Sequence, residues 1–288
     1  MESNRKIQTS NPRKYKVFSI AHQKGVSQKL DFHTHFYYEV FIFHNGNCKY
    51  LIDNKIYDLL PGDIIVMDGS KLHKPSIIGD KWRYERSIVQ FSPEWIEPLV
   101  KFLNSEYLLD PFRKKHYTLY RTNNGLLLSV LLELVIKMED LLKLPNPLEE
   151  ETELKIILVE LLLTIQKLID YKMTETENLL DEQNEYVQQI ATYVQDHYNQ
   201  KFHLDHIAKE LNISKSYLVH LFKEQTGYTI MEYVMQYRLT QSLHLLKMYP
   251  NETIKELCNQ CGFESEAHFS RFFKKNLGES PSAYRKKL

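Results

Sequence analysis

Residues 204–227 read LDHIAKELNISKSYLVHLFKEQTG, and residues 253–278 read TIKELCNQCGFESEAHFSRFFKKNLG. One pattern is written twice. Ser214, Leu218, Phe222, Lys223, Gly227 and Tyr233 recur as Ser265, Phe269, Phe273, Lys274, Gly278 and Tyr284, each pair 51 residues apart (265 − 214 = 51, and so on). Repetition at this period marks two copies of one small unit. In the first copy Leu204, Ile207, Ala208 and Leu211 form an apolar stripe. Asn212-Ile213 is the turn, and Ser214 caps a second helix whose Leu218, Leu221 and Phe222 face inward, with Gly227 closing it. In the second copy Thr253 to Glu256 is a capping box, and Ile254, Leu257, Cys258 and Cys261 share one face. Gly262-Phe263 turns the chain, and Phe269, Phe272 and Phe273 pack inward before Gly278. Two short helices joined by a tight turn make a helix-turn-helix. Between the copies Thr229 to Glu232 is another capping box, predicting a linking helix to about Met248 that ends before Pro250. A stiff linker suits two recognition helices that must enter successive major-groove turns roughly 34 Å apart on double-stranded DNA.

The residues outward of these stripes are the candidates for reading DNA. They are Lys215, Ser216, Val219, His220 and Lys223 on the first recognition helix, and Glu266, Ala267, Ser270, Arg271 and Lys274 on the second. Arg271 can fork onto guanine, Glu266 can accept from cytosine, and Ala267 or Val219 can touch a thymine methyl. Lys223 and Lys274 lie later on their helices, where phosphate is the expected partner. The competing reading for each is a solvated helix face. Cys258-Asn-Gln-Cys261 has CxxC spacing, but no second pair accompanies it, and both cysteines fall opposite packing positions of the first copy, Ala208 and Leu211. They are expected in the core.

The run Ile254 to Phe263, followed by Phe269-Ser-Arg-Phe-Phe-Lys-Lys275, Gly278, Pro281 and Tyr284-Arg285, resembles the signature of the AraC/XylS family of bacterial transcription regulators. ISKSYL, LFKEQTG and EYV carry the same resemblance in the upstream copy, so it runs through residues 185–288. Cys258 and Ser242 stand where alanine is usual, and His268 replaces a common tyrosine. The resemblance implies a sequence-specific regulator, more often an activator, with double-stranded DNA and RNA polymerase as partners.

The chain has 288 residues, 43% of them hydrophobic, enough for two domains with their own cores. Its formal net charge is zero, but residues 271–288 hold six Lys/Arg against one acid, while 139–185 hold thirteen Asp/Glu against four Lys. A basic end fits phosphate contact, although 185–288 as a whole carries only 13 Lys/Arg against 11 Asp/Glu. Three cysteines without an export signal point to a reducing, cytoplasmic setting and no disulfide framework. The most apolar run, Leu154 to Ile169, is broken by Lys155, Glu160 and Lys167 and is not expected to span a membrane.

Residues 1–14 read as a basic, solvated arm. Beyond it, β-rich segments recur at Tyr37–Phe43, Lys49–Asp53, Lys55–Leu59, Ile64–Met67 and Glu85–Phe91. Turn signals separate them at Asn45-Gly46, Asp53-Asn54, Pro61-Gly-Asp63 and Asp68-Gly69, which predicts a small barrel or sandwich. Within it, His33-Thr-His35-Phe-Tyr-Tyr-Glu39, Gly46, Pro61-Gly62-Asp63 and His73 are similar to the cupin barrel found at the N-terminus of many AraC-type regulators. In metal-binding cupins the matching three histidines and glutamate are the ligands, a set suited to Mn, Fe, Ni or Zn. The second motif departs, with Asp68 and Ser70 where metal cupins carry proline and glycine. Three readings of His33, His35, Glu39 and His73 stand open: the polar lining of an effector pocket, structural hydrogen bonding, or a metal site. The assignment adopted is effector binding with no metal and no cofactor, and Tyr38, Trp82, Tyr84 and Arg86 supply flat apolar and donor surfaces that suit a small molecule, a sugar among them. For any one aromatic the plainer reading is core.

Helical periodicity resumes over residues 125–143 (Leu127, Val130, Leu131, Leu134, Val135, Met138, Leu142) and again through Leu154, Ile157, Leu158, Leu161, Ile165 and Leu168. Two such helices offer more apolar surface than a small barrel needs, so a homodimer is expected. The acidic stretch 171–184 reads as a linker. The expected fold is therefore α+β: a cupin-like β-barrel and two-helix dimerisation region over 15–170, the linker, and an all-α domain with two helix-turn-helix units over 185–288. A metal-dependent cupin enzyme with an attached DNA-binding domain, or an architectural binder that senses nothing, are the rival functions.

Overall fold

A computed structural model describes residues 17–26, 30–121, 125–143, 147–170, 174–175 and 182–287. The expected arm, 1–14, lies outside the described residues, as does most of the expected linker, 171–184. The fold is α+β in the expected order, a β-rich domain followed by an all-helical one.

Among the described residues nine strands form two sheets: β1 (Phe18–Lys24), β2 (Tyr38–Asn45), β3 (Cys48–Ile52), β4 (Lys55–Leu59), β5 (Ile64–Met67), β6 (His73–Ile77), β7 (Glu85–Phe91), β8 (Tyr117–Arg121) and β9 (Thr174–Glu175). One sheet runs β1-β7-β2-β5-β8-β9 and the other β4-β3-β6, with the strands paired antiparallel. Alternation along β2 sorts its side chains into two cores: Val40 and Ile42 join an outer cluster, Phe41 and Phe43 an inner one. The outer cluster is covered by α1 (Pro93–Phe102), α2 (Asp110–Lys114), α3 (Gly125–Leu141) and α4 (Pro147–Asp170).

Four strands lie outside the segments expected from sequence, β1, β6, β8 and the two-residue β9, which falls within the stretch expected as linker. β1 and β8 carry mixed polar residues that mask a period of two, and β6 contains Pro75. Proline lacks a donor and is tolerated there because β6 is an edge strand.

The helical domain comprises α5 (Glu182–His197), α6 (Leu204–Glu210), α7 (Lys215–Thr226), α8 (Ile230–Met248), α9 (Ile254–Gln260), α10 (Glu266–Leu277) and α11 (Pro281–Arg285). The caps form as read. Ser214 Oγ accepts from the Tyr217 amide, Ser265 Oγ from the His268 amide, and Thr229–Glu232 and Thr253–Glu256 each close a full capping box. The two units differ by one residue in the turn. Helices α6 and α9 are offset by 50 (254 − 204), whereas α7 and α10 are offset by 51 (266 − 215). The Ile213 amide returns to the Ala208 carbonyl just as the Phe263 amide returns to that of Cys258, so the added residue is Glu264, after the shared bend. Asn212 and Gly262 occupy the left-handed position of that bend, at φ 53° and 73°.

Packing distinguishes the units. The second has its own core, in which Leu239, Leu243 and Leu246 of α8 meet Leu257, Cys258, Cys261, Phe263, Phe269 and Phe273. Both cysteines of the CxxC are buried there, and Ser242 is buried on α8. The first unit shares its core with the barrel: Phe32, Leu51, Ile56 and Leu72 join Val187, Ile190, Leu218, Phe222, Tyr228 and Tyr233 in one cluster. The end of α5 ties the units together, because Arg238 of α8 donates from Nε to the Tyr198 carbonyl (2.7 Å) and from Nη2 to that of Gln200 (2.8 Å).

Candidate DNA-reading face and barrel cavity

On α7, Lys215, Ser216, His220 and Lys223 are exposed and Val219 is half-buried; on α10, Glu266, Ala267, Arg271 and Lys274 are exposed and Ser270 is half-buried. Inward residues Leu218, Leu221 and Phe222, and Phe269 and Phe273, fix the rotation of each helix, which is why these side chains share its outer side. Two of them have neighbours of their own: Lys215 Nζ lies 2.9 Å from Asp205 Oδ2, and His220 Nε2 lies 3.8 Å from Glu224 Oε2. Cationic, carboxylate, hydroxyl and methyl groups are thus presented together, the set needed for base edges and phosphates.

Where the segment before β2 bridges to β6, three imidazoles converge, with His73 buried, His35 half-buried and His33 exposed. The rings of His33 and His73 stand 4.2 Å apart, those of His35 and His73 5.1 Å apart, and one nitrogen from each of the three lies within 4.8 Å of the others. Each Nδ1 faces a backbone carbonyl: His33 that of Asp31 (3.0 Å), His35 that of Tyr37 (3.1 Å) and His73 that of Lys71 (2.8 Å). A carbonyl only accepts, so the Nδ1 of His33 and of His73 is the donor and a neutral ring at either place turns its Nε2 lone pair the other way, whereas His35 faces an acceptor at both nitrogens, the Tyr37 carbonyl and the Glu39 carboxylate. His35 Nε2 lies 2.9 Å from Glu39 Oε2, which also accepts from Gln90 Nε2 at 2.7 Å. Burial alone would raise the Glu39 carboxyl, but the hydrogen bond with His35 and the three neighbouring imidazoles outweigh it and hold the group at about 2. Burial, reinforced by His33, pulls His73 down to about 3, and its buried Nε2 has no hydrogen-bond partner among the described residues.

A cavity of about 190 Å³ opens beside this cluster, lined by Leu30, Asp31, His33, Glu39, Phe41, Tyr50, Pro75, Arg86, Ile88 and Gln90. His33, Glu39 and Arg86 of the expected effector set are in its wall, whereas His35 and His73 are not in the lining and stand behind it, against His33. Tyr84 is wholly buried in the inner core with Arg86 stacked 4.8 Å over its ring. The other two are elsewhere. Tyr38 stacks on Phe112 in the outer core (4.7 Å, 10° between planes), because an even position on β2 faces away from Glu39 and Phe41. Trp82 is 63% exposed on the loop before β7, against Gly25. Gln90, Asp31, Phe41 and Tyr50 are lining residues that sequence reading missed; the alternation Arg86, Ile88, Gln90 along β7 was the available signal for Gln90.

The cavity wall is also the docking surface of the helical domain. Along the segment before β2, His33 and His35 turn inward while Phe32 packs on Tyr228 (4.8 Å) and Tyr233 (5.3 Å), and Phe36 meets His244 of α8 (6.3 Å). Along β6, His73 and Pro75 face in, while Lys74 Nζ donates to the Thr226 carbonyl at the end of α7 (3.0 Å) and sits 3.8 Å over the Tyr228 ring. Tyr228 in turn donates its hydroxyl to Asp31. Period two along both segments places a group bound inside one residue away from groups that hold α7.

Two families match the chain: one described as an AraC-like ligand binding domain, over residues 17–136, and one described as a helix-turn-helix domain, over 207–287. The Msm operon regulatory protein of Streptococcus mutans is 33% identical over 144 residues, 50% of this chain and 51% of that protein. The transcriptional regulatory protein HptR of Staphylococcus aureus is 35% identical over 99 residues, 34% of this chain and 38% of the relative. The chain thus spans about half the length, or less, of these curated relatives. Among solved structures, ToxT from Vibrio cholerae is 18% identical with a TM-score of 0.38, covering 95% of this chain and 99% of that one. Among the described residues no helix is long and apolar enough to cross a membrane.

Proposed function

Because the chain belongs to the AraC family, joining an AraC-like ligand-binding domain to a helix-turn-helix domain, we propose that it is a cytoplasmic, sequence-specific regulator of transcription whose barrel takes a small-molecule effector. The observation that carries this reading is the shared wall: the cavity lined by His33, Glu39 and Arg86 lies one residue away from the contacts that hold α7. An effector that binds the docked and released arrangements unequally shifts their populations, and only that difference in affinity couples the sites. Double-stranded DNA is read by Lys215, Ser216, Val219, His220 and Lys223 from one unit and by Glu266, Ala267, Ser270, Arg271 and Lys274 from the other. Activation through RNA polymerase and a carbohydrate effector are the finer parts of the proposal; Tyr38, Trp82 and Tyr84, packed away from the cavity, drop out of the effector set. Both relatives above are named as regulatory proteins, which argues against the metal-dependent enzyme alternative.

Selection of duplexes from a random pool by the full chain tests the DNA reading. Arg271→Ala is then expected to weaken the selected site by about 1–3 kcal/mol and to relax preference at one base pair, whereas Lys274→Ala lowers affinity evenly across sequences. Unchanged affinity and preference in Arg271→Ala removes that residue from the face.

A homodimer is part of the same proposal. Leu126, Ile136 and Ile156 are exposed on α3 and α4, although those helices bury Leu131, Val135, Met138, Leu154, Leu158 and Leu161 against the barrel. Sedimentation equilibrium at micromolar protein is expected to give a dimer, and monomer alone contradicts it.

The histidine cluster supports a second reading, a divalent first-row metal ion, and the donor set fits one. Three rings pinned at Nδ1 by carbonyls, with Nε2 atoms converging beside Glu39, have the outer-shell arrangement that orients metal-binding imidazoles. His33, His35 and His73, with Glu39, would hold the ion, which would supply a fixed positive charge at the polar end of the cavity. Elemental analysis of purified protein decides it: a stoichiometry near one favours the metal, and a value near zero ends this reading.

A further inference from the structure

The barrel cavity has unlike ends. Its floor on β7 is Arg86, Ile88 and Gln90, and the strand register sets Gln90 opposite Glu39, Ile88 opposite Phe41 and Arg86 opposite Phe43. Four residues at ~3.4 Å each separate Arg86 from Gln90 along the strand. Glu39, Gln90 and His33 therefore gather at one end and Arg86 stands at the other, with Phe41, Ile88 and Tyr50 between them.

Arg86 is the anomaly. It is only 6% exposed; one of its nitrogens, Nη2, donates to Gln23, its guanidinium lies over the Tyr84 ring, and its buried Nη1 has no acceptor among the described residues. Neither carboxylate in the cavity wall answers it: Glu39 is engaged with His35 and Gln90 at the far end, and Asp31 accepts from the Tyr228 hydroxyl. A buried guanidinium is retained at a cost unless an anion or strong acceptor completes it, and a planar fork is matched best by a carboxylate. The other end offers the complement: a carboxylate, an amide and an imidazole, groups that together take and give hydrogen bonds to hydroxyls. The volume, about 190 Å³, equals that of about six waters at ~30 Å³ each, which admits one sugar-sized unit and no oligomer.

We propose that the cavity selects a small polyhydroxy acid, of the sugar-acid class, whose carboxylate pairs with the Arg86 guanidinium and whose hydroxyls reach Glu39, Gln90 and His33. This deepens the effector reading of the barrel and rests on it. Neutral sugars lack the partner that Arg86 requires, and apolar acids leave the Glu39 end unsatisfied.

The test is calorimetric titration of the full chain with matched pairs: galacturonate against galactose and against methyl galacturonate ester, and gluconate against glucose. The expected result is saturable binding of at least one acid, at least tenfold tighter than its neutral sugar or ester, and a loss of at least tenfold in Arg86→Met. The ester control carries the test even if Arg86→Met fails to fold, because it removes the charge from the ligand instead. Equal binding of acid and neutral partner, undiminished binding by folded Arg86→Met, or no binding of either acid at millimolar concentration each overturns the assignment. Duplex affinity is measured with and without the bound acid: a bound acid that leaves it unchanged refutes the effector reading while the assignment of Arg86 stands, and a neutral sugar that binds and alters it does the reverse.

Discussion

Gly262→Ala is expected to destabilise the second helix-turn-helix unit by about 2–5 kcal/mol, the sum of left-handed strain and overpacking. Gly262 sits at φ +73°, and a Cβ there would stand 2.6 Å from Asn199 Cα and 2.7 Å from the Tyr198 carbonyl oxygen. Both obstacles are backbone at the end of α5, the same segment that holds Arg238 of the linking helix, so neither moves aside cheaply. The bend must open or the unit must lift from α5. Because that unit has a core of its own, the loss is expected as an early transition in chemical denaturation followed by far-ultraviolet circular dichroism, with the barrel's transition in place. Gly278→Ala is the control: it too has a left-handed φ, +82°, but a Cβ there meets nothing within 4 Å, so only the strain of about 1–2 kcal/mol remains. Equal effects of the two substitutions would show that the close approach to Asn199 does not matter.

Tyr233→Ala is the second large effect, about 3–5 kcal/mol. Its ring is fully buried between Phe32 of the barrel segment (5.3 Å) and Phe222 of α7 (5.5 Å), and its hydroxyl donates to the Asp53 carbonyl at 2.8 Å. One side chain thus serves the core of the first unit and the seam with the barrel. Truncation is expected to lower the unfolding midpoint and to expose the connection around residue 182 to protease, since α5 and α7 lose their shared support on the barrel edge. Tyr233→Phe keeps the ring and removes only the hydrogen bond, for about 1 kcal/mol. A Tyr233→Ala loss no larger than that of Tyr233→Phe would mean that the seam is not packed as described.

These expectations also show where sequence was informative. The helical repeat was legible because its signals are local: Ser214, Ser265 and the two Thr-x-x-Glu boxes cap within four residues, and Gly227 and Gly278 end their helices in the left-handed conformation. The one-residue offset in the turns was hidden because Asn212 and Gly262 reach the same φ with different side chains. Strands depended on partners far along the chain. Pro75 removes a ladder donor from β6, which its edge position tolerates, and β8 gains its place by pairing with β5 fifty or more residues upstream. Around the cavity, His33, His35, Glu39 and His73 group by their resemblance to the cupin spacing, whereas Gln90 and Tyr50 enter only through sheet register. Trp82 and Tyr38 show the limit of residue type alone: an aromatic on or near a strand has two faces to choose from, and only packing decides.

The shared wall gives the fold its functional logic. His33 and His35 alternate with Phe32 and Phe36, and His73 with Lys74, so the two faces of a single layer of chain serve the cavity and the first DNA-reading unit. In the proposed coupling this shared edge is the route between the cavity and α7, and an effector acts through it by favouring the docked or the released arrangement.

Hydroxyl-radical footprinting of the full chain on its selected duplex tests the central claim most directly. Two protected patches on one face of the helix, centred about 10–10.5 base pairs apart, are expected if α7 and α10 enter successive major-groove turns. A single patch, or two patches half a turn out of phase, would contradict it.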